Sequence, residues 1–509
     1  MGTSVYKQIY DAIENESLPD AFELPEEDTA SGSLKWAPGA MDGVYMYHMA
    51  PSELSDADTA HMEAAVEEAS AGDYKTADQY FYEFTKEHRA ISAIDVLQRY
   101  IAENRDDLDT ENLYQTAVWI LQESEHIDCV KMAMAILEIY RDVREEIRDV
   151  IYQLALYDEF TLPAVWNMTR WKEGNQDVFD TARHTHGWGR IHAVNSLKAD
   201  TEEIKNWLLT EGIKNNVSPS YSALTCWNNG EAETKLSGDC TEKEYKGILR
   251  IMDALLDEGP VVGISALEEP ESVLLSLLSK ANDYPLAGDD YQIISNIRSY
   301  CTNAEPPLHE AAQKADTLLH SPACHQAVMK AVEEGSCLNL AEELGIPFLA
   351  QLYENMRKHF DTTYFLCGHL MAEPAYAEKT LELFRTNLPL SKMTGDLKED
   401  DLSPKEYLSH IELQSILFTL RELPLTGLDL VHTGLFSTLL RDRLSAISVL
   451  EHWVQDTNTP LIELSGDLYD QLEELLKQNL PKDLKERVEG LLRGDTVFEH
   501  NLSDLINIE

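Results

Sequence analysis

Basic residues are scarce in this sequence. It carries 41 lysines and arginines against 91 aspartates and glutamates, a formal net charge of −50. No Lys/Arg block interrupts the excess. The basic stripe that grips a phosphate backbone through counterion release is therefore missing, and nucleic-acid binding is not expected. An anionic membrane surface is disfavoured on the same ground. Basic proteins, cationic peptides and metal ions stay electrostatically open as partners. The plainest reading of the acidity is that it keeps a large helical surface soluble.

Long apolar runs are lacking too. No stretch approaches the roughly 18 apolar residues of a membrane span, and Met1 to Asp20 shows no charged-then-apolar leader pattern. Cysteine is sparse and unpatterned. Cys129, Cys226, Cys240, Cys301, Cys324, Cys337 and Cys367 are odd in number, and no two form a C-x-x-C pair. That fits neither a disulfide framework nor a zinc ribbon, so reduced thiols in a cytoplasmic protein are expected. Common catalytic signatures are missing as well: no phosphate loop, no Gly-x-Ser-x-Gly elbow and no His-Glu-x-x-His helix. A di-iron carboxylate site needs two Glu-x-x-His pairs. Glu123-Ser-Glu-His126 supplies one.

What is present is helical periodicity. The chain has 509 residues, beyond the roughly 250–300 that one compact core usually serves, and 43% of them are hydrophobic, enough for folded structure throughout. Residues 1–57 stand apart. An amphipathic stretch from Tyr6 to Glu14 leads into Leu24-Pro-Glu-Glu-Asp-Thr-Ala-Ser-Gly-Ser33, then the aromatic, turn-rich run from Trp36 to His48. Its Pro and Gly punctuation predicts an irregular segment lying on the first helices. From Ser55 onward caps precede apolar-periodic runs: Ser55-Asp-Ala-Asp, Thr241-Glu-Lys-Glu, and Ser403-Pro-Lys-Glu, a capping box with Pro at the first helical position. Tyr245, Ile248, Ile251, Met252 and Leu255 form one stripe at helical spacing. The expected organisation is helical repeats over 58–260, a middle helical region over 261–400 and further repeats over 401–509.

Self-similarity sharpens this. Ala90-Ile-Ser-Ala-Ile-Asp-Val-Leu97 overlays Arg443-Leu-Ser-Ala-Ile-Ser-Val-Leu450 with five of eight positions identical. Arg190 to Leu197 fits the same frame, and Val130 to Leu137 fits more loosely. In each, an Ala sits one turn before the Leu, so a neighbouring helix can approach closely. Leu97 and Leu137 lie 40 residues apart, near the length of one helix pair. The frame resembles the second helix of HEAT and armadillo repeats. The expected fold is therefore all-α, a right-handed α-solenoid of degenerate HEAT-like helix pairs, with an irregular all-α fold as the alternative.

Two patches are candidates for binding or chemistry. Asp180-Thr-Ala-Arg-His184-Thr-His186-Gly-Trp188-Gly-Arg190-Ile-His192 gathers three histidines and an arginine. Such histidines can hold zinc or another borderline metal, with Asp180 completing the set. His184 and His186 converge only if the glycines break the helix. The other reading is an inter-helix turn, with Trp188 packing and Arg190 capping or pairing with acid. Gly187-Trp-Gly189 is no dinucleotide fingerprint, because His192 stands at the third glycine position and no strand precedes it. The second patch places Asp42 and His48 around Tyr45 and Tyr47, either lining a pocket or anchoring a flap.

Residues 37–43 (Ala-Pro-Gly-Ala-Met-Asp-Gly) and 186–194 (His-Gly-Trp-Gly-Arg-Ile-His-Ala-Val) together resemble helical proteins of Gram-positive bacteria designated limonene hydroxylases. That resemblance implies a monooxygenase acting on a small terpene. Such an enzyme activates oxygen with a metal or organic cofactor, and the residues identify neither. The leading expectation is a non-catalytic helical-repeat protein binding a protein or peptide, with a basic one favoured by charge. The alternative is an enzyme built around Asp180, His184, His186, Arg190 and His192.

Overall fold

The computed structural model describes residues 3–19, 21–25, 36–49, 54–141, 143–398 and 402–498. The protein is all-α. Among the described residues the only extended pairings are isolated bridges, Glu14 with Ser17 and Thr394 with Ser437. No described helix is long and apolar enough to cross a membrane. The chain divides into two compact units, Met1–Leu286 with Ile293–Leu318, and Ala287–Gln292 with Leu319–Glu509.

In the first unit, α1 (Val5–Ala12) and α2 (Ala40–His48) precede a run of helices. These are α3 (Asp56–Ala71), α4 (Tyr74–Thr85), α5 (Ala90–Glu103), α6 (Thr110–Glu123) and α7 (Ile127–Leu137). There follow α8 (Glu145–Ala155), α9 (Asp158–Met168), α10 (Gly174–His184), α11 (Trp188–Ser196), α12 (Glu202–Thr210), α13 (Ser220–Asn229), α14 (Ala232–Ser237) and α15 (Glu242–Leu256). Sequential neighbours pack on one another, α6 on α7, α8 on α9 and α10 on α11. The odd-numbered helices also pack in succession, α5 on α7, α7 on α9, α9 on α11, α11 on α13 and α13 on α15. α1 lies on α6 and α8, whereas α2 lies on α5, α9 and α11.

The repeated frames fall on helices of this odd layer. Ala93 and Leu97 in α5, Ala133 and Leu137 in α7, and Ala193 in α11 are fully buried; Leu197, just past the end of α11, is nearly so. In the second unit the corresponding Ala446 and Leu450 are fully buried in the helix Leu440–Thr457. A Cβ placed on Gly434 of the neighbouring helix would come 2.8 Å from the Ala446 methyl, so the small side chain sits where two helices meet most closely. The α15 stripe of Tyr245, Ile248, Ile251, Met252 and Leu255 is wholly buried.

The caps form as their residues dictate. Ser55 accepts from the Asp58 N–H. Thr241 and Ser403 each close a reciprocal capping box, with Glu244 and Glu406 respectively, and Pro404 occupies the first turn. One expectation fails. The run from Trp36 to His48 is not irregular: Ala40 to His48 is helix. Gly39, at φ 73°, makes the sharp start that Pro38-Gly39 signals, and the helix begins immediately after it. Gly43 inside the helix weakens the local pattern for a packing reason given below. The part of that segment from Glu26 to Ser33 lies outside the described residues.

Replacing Thr241 with Ala removes an acceptor for the Glu244 N–H and one half of the capping box. A loss of about 1 kcal/mol is expected, read as a lower urea midpoint at unchanged slope.

Candidate functional site

Both patches singled out in the sequence meet in the first unit, on two sides of one turn. α10 ends at His184 and α11 starts at Trp188, so the helix does break at the glycines. The break is held by an acid from another helix. The backbone N–H groups of Gly187, Trp188 and Gly189 face the carboxylate of Asp158, at the start of α9, closely enough to favour its charged form. A carboxylate here satisfies orphan donors of the α11 N-terminus and meets its positive dipole end. Burial nevertheless pushes Asp158 up to about 6, against the pull of those three N–H groups. A Cβ on Gly187 would come 2.3 Å from Asp158 Oδ2, and one on Gly189 2.5 Å from Oδ1. The two glycines thus admit a carboxylate cap, not a dinucleotide.

On one side of the turn lies α2. Gly43 faces the Trp188 ring so closely that a Cβ there would sit 2.2 Å from ring carbon Cε3. Tyr47 stacks over His192 (centroids 6.3 Å apart, planes within 4°) and packs on Trp188 and Tyr221. Asn195 donates to the Tyr47 hydroxyl at 2.7 Å and to the Tyr221 carbonyl at 2.9 Å. The exposed His48 closes the edge, its Nε2 2.7 Å from the Tyr221 hydroxyl. His192 is buried, and its Nε2 has no hydrogen-bond partner among the described residues. Burial, helped by nearby Lys131, pushes its pKa down to about 4. The ring is neutral near pH 7.

Beneath α2 is an ionic triad. Lys131 of α7, only 2% exposed, places Nζ 2.9 Å from Asp42 Oδ2 and 2.5 Å from Glu159 Oε1. Glu159 Oε2 accepts from the Gly39 N–H at 2.6 Å, which caps α2. Burial alone would favour neutral Lys131, but Asp42, Glu159 and Asp128 outweigh it and hold the ammonium protonated. Burial likewise pushes both acceptor carboxylates up. For Glu159 the ammonium and the Gly39 N–H win and leave it below the ordinary range, whereas Asp42 is left up at about 6. Glu159 is the carboxylate that keeps its charge most firmly.

On the other side of the turn is an open cleft of about 740 Å³. His186 and Arg190 form one wall, the segment from Ile213 to Ser220 a second, and Arg250, Asp253, Ala254 and Asp257 of α15 and its end a third. Arg190 donates to the carbonyls of Ala182 (2.8 Å) and Glu211 (3.0 Å) and stacks over Trp207, so it does serve as a cap on the end of α10. Its Nε has no partner among the described residues.

The five residues of the enzyme alternative are thus distributed over three places. Asp180 and His184 belong to the outer side of α10, where the His184 ring nitrogen Nδ1 bonds the Asp180 carbonyl at 2.7 Å and Asp180 takes Gln176 at 3.2 Å. His186 and Arg190 line the cleft, and His192 lies in the aromatic seam with Trp188. Asp42 and His48 join that seam through α2. Among the described residues no group of three or more His, Cys, Asp or Glu could hold a metal ion.

Sequence reasoning missed Lys131, Asp158, Glu159, Asn195 and Tyr221. Lys131 had a visible signal, a lone charge inside Cys129-Val-Lys-Met-Ala-Met-Ala-Ile-Leu137. Asp158 and Glu159 look like ordinary first-turn acids of a helix, and nothing local distinguishes them. No protein-family model matches the chain, and no curated protein matches it.

Changing Lys131 to Met leaves two buried carboxylates unpaired. A loss of about 3–5 kcal/mol is expected in urea unfolding, well above that of Asp42→Asn, which keeps the Lys131–Glu159 pair. His192 tests the seam by pH. Its folded pKa lies below its ordinary 6.5, so the neutral ring's contribution is complete above about 6.5 and is lost as pH falls toward 4. Between pH 7.5 and 5 the wild type should lose about 2 kcal/mol relative to His192→Phe, read from paired urea curves. Parallel curves would refute the buried, neutral histidine.

Proposed function

We propose that the first unit is a right-handed, HEAT-like α-solenoid that acts by binding a protein or peptide on its odd-numbered helices and performs no chemistry of its own. The observation that carries this is α2. A short helix of the same chain is laid across α5, α9 and α11, seated by Gly43 against Trp188 and by the Asp42–Lys131 pair. Helix-in-groove recognition is a recurrent peptide-binding mode, and here the odd layer exercises it in cis. The succession of odd helices and the repeated Ala–Leu frame support the solenoid reading. A net charge of −50 favours a basic partner. Seven free cysteines accord with a cytoplasmic site of action.

The terpene monooxygenase alternative gains less. A terpene needs an enclosed apolar pocket, whereas the cleft beside the His184–His192 patch is open and has Arg190, Lys214, Arg250, Asp253 and Asp257 in its walls. The five residues of that alternative also do not share one pocket.

The test is site-specific photo-cross-linking in the native cytoplasm, from Asn228 on α13 and from Gln79 on α4. A discrete protein or peptide adduct at Asn228, absent at Gln79 and suppressed by salt, is the expected result. Equal adducts at both positions, or none at Asn228, would overturn the reading.

A further inference from the structure

The cleft behind the turn has a composition the rest of the molecule does not prepare for. In a chain with more than twice as many acids as bases, Arg190, Lys214 and Arg250 come to one cleft with His186. Two of the three guanidinium and ammonium groups have donors engaged elsewhere: Arg190 on backbone carbonyls, and Lys214 on Glu211 at 2.6 Å. Arg250 is different. It is exposed and has no ion-pair or hydrogen-bond partner among the described residues. Arg190 has an unpartnered donor as well, but one closed off from solvent. The residue is only 8% exposed, yet its Nε–H is unpartnered. A buried guanidinium N–H without an acceptor is costly, so Arg190 adds its positive charge behind the cleft wall and leaves direct contact to Arg250.

Beside Arg250, on the same wall, stand acceptors. Asp253 and Asp257 lie one helical turn apart at the end of α15. Each spends only part of its capacity: Asp253 Oδ1 takes Asn296 at 2.8 Å, and Asp257 takes the Ser220 hydroxyl on Oδ2 at 3.0 Å and the Gly259 N–H on Oδ1 at 3.3 Å. A carboxylate offers about four acceptor sites, so both have room for a donor from solution. Ile213, Pro219 and Ala254 contribute apolar surface to the cleft.

We infer that this cleft binds a free α-amino acid, with the ligand carboxylate toward Arg250, its ammonium toward Asp253 and Asp257 farther along the same helix, and its side chain along Ile213 and Pro219. The whole-molecule field selects this class. A net −50 protein repels a small anion such as phosphate at long range, even where a local arginine would accept it. A zwitterion carries no net charge and approaches without that penalty, then satisfies donors and acceptors together. A cation would meet Arg250 unpaired at the cleft. The inference is independent of whether the odd-helix layer takes a peptide partner.

The experiment is calorimetric titration of the full chain with each of the twenty protein amino acids in turn. Inorganic phosphate, acetate and methylammonium serve as single-charge probes. Saturable one-site binding of at least one amino acid is expected, with all three single-charge probes at least about a hundredfold weaker. Arg250→Gln and Asp257→Asn should each weaken the amino acid by about tenfold or more. Arg250 is exposed, and asparagine at 257 can still accept the Ser220 hydroxyl, so both variants should keep the wild-type unfolding curve. No amino acid binding up to about 10 mM, phosphate binding as tightly as the best amino acid, or binding indifferent to both variants would overturn the assignment.

Discussion

A lysine ammonium buried among helices has to be met by carboxylate oxygens, because removing an ion from water costs several kcal/mol that only close partners recover. Lys131 sets that requirement at the centre of the first unit. One partner, Glu159, comes from the adjacent helix α9, and the other, Asp42, comes from α2, 89 residues away in sequence. Replacing such a triad with well-fitted apolar side chains would be close to neutral for stability. Its effect is positional. α2 can slide or rotate on the odd layer only by leaving a charge unpaired in a dry site. The same constraint brings Gly39 to the Glu159 carboxylate and Gly43 to the Trp188 ring. Tyr47 and His48 then fall over His192 and Tyr221 as consequences of one fixed register.

Some of the acidity is therefore structural rather than a solvation device. Asp128, at the start of α7, accepts from the Ala90 N–H that opens α5, at 3.2 Å. Asp158, at the start of α9, gathers the N–H groups that open α11. Glu159 takes the N–H at the start of α2. In each case an acid at one helix's first turn caps another helix, so neighbouring N-termini are stitched by buried carboxylates. That arrangement places negative groups where positive dipole ends converge. It also places Asp158 and Asp42 in dry surroundings that push their pKa values up to about 6.

The sequence was legible where the signal is local and silent where it is long-range. The capping boxes at Thr241 and Ser403 and the Tyr245 to Leu255 stripe depend on residues within a few turns of one another and take the expected form, and the Ala and Leu of the repeated frames are buried. The helix Ala40–His48 was hidden because Gly39 and Gly43 read as turn residues, whereas Gly43 is there to admit an indole ring from a helix 145 positions later. The glycines at 187 and 189 were correctly read as a helix break, but their reason, a carboxylate from α9, cannot be seen without the fold. The histidine patch looked like one site because its members are adjacent in sequence. The backbone turn sends His184, His186 and His192 to three different surroundings. The partners of the seam were missed for the converse reason: Asp42, Lys131, Asp158 and Trp188 are far apart in sequence and meet only through packing.

One short turn carries both features that distinguish this protein from a generic stack of helices. Trp188 and His192 face the seam with α2, and His186 and Arg190 face the cleft, so alternate positions of one strand of backbone serve opposite sides. Asp158 holds that backbone close, with three successive N–H groups facing its carboxylate and a Cβ on either glycine meeting its oxygens at 2.3–2.5 Å. Trp188 packs on α2, and Arg190 stands two residues on in the same first turn of α11. The position of the chain's own helix on the odd layer and the shape of the cleft are thus set by a single element, with Lys131 fixing one side and the carbonyls of Ala182 and Glu211 fixing the other.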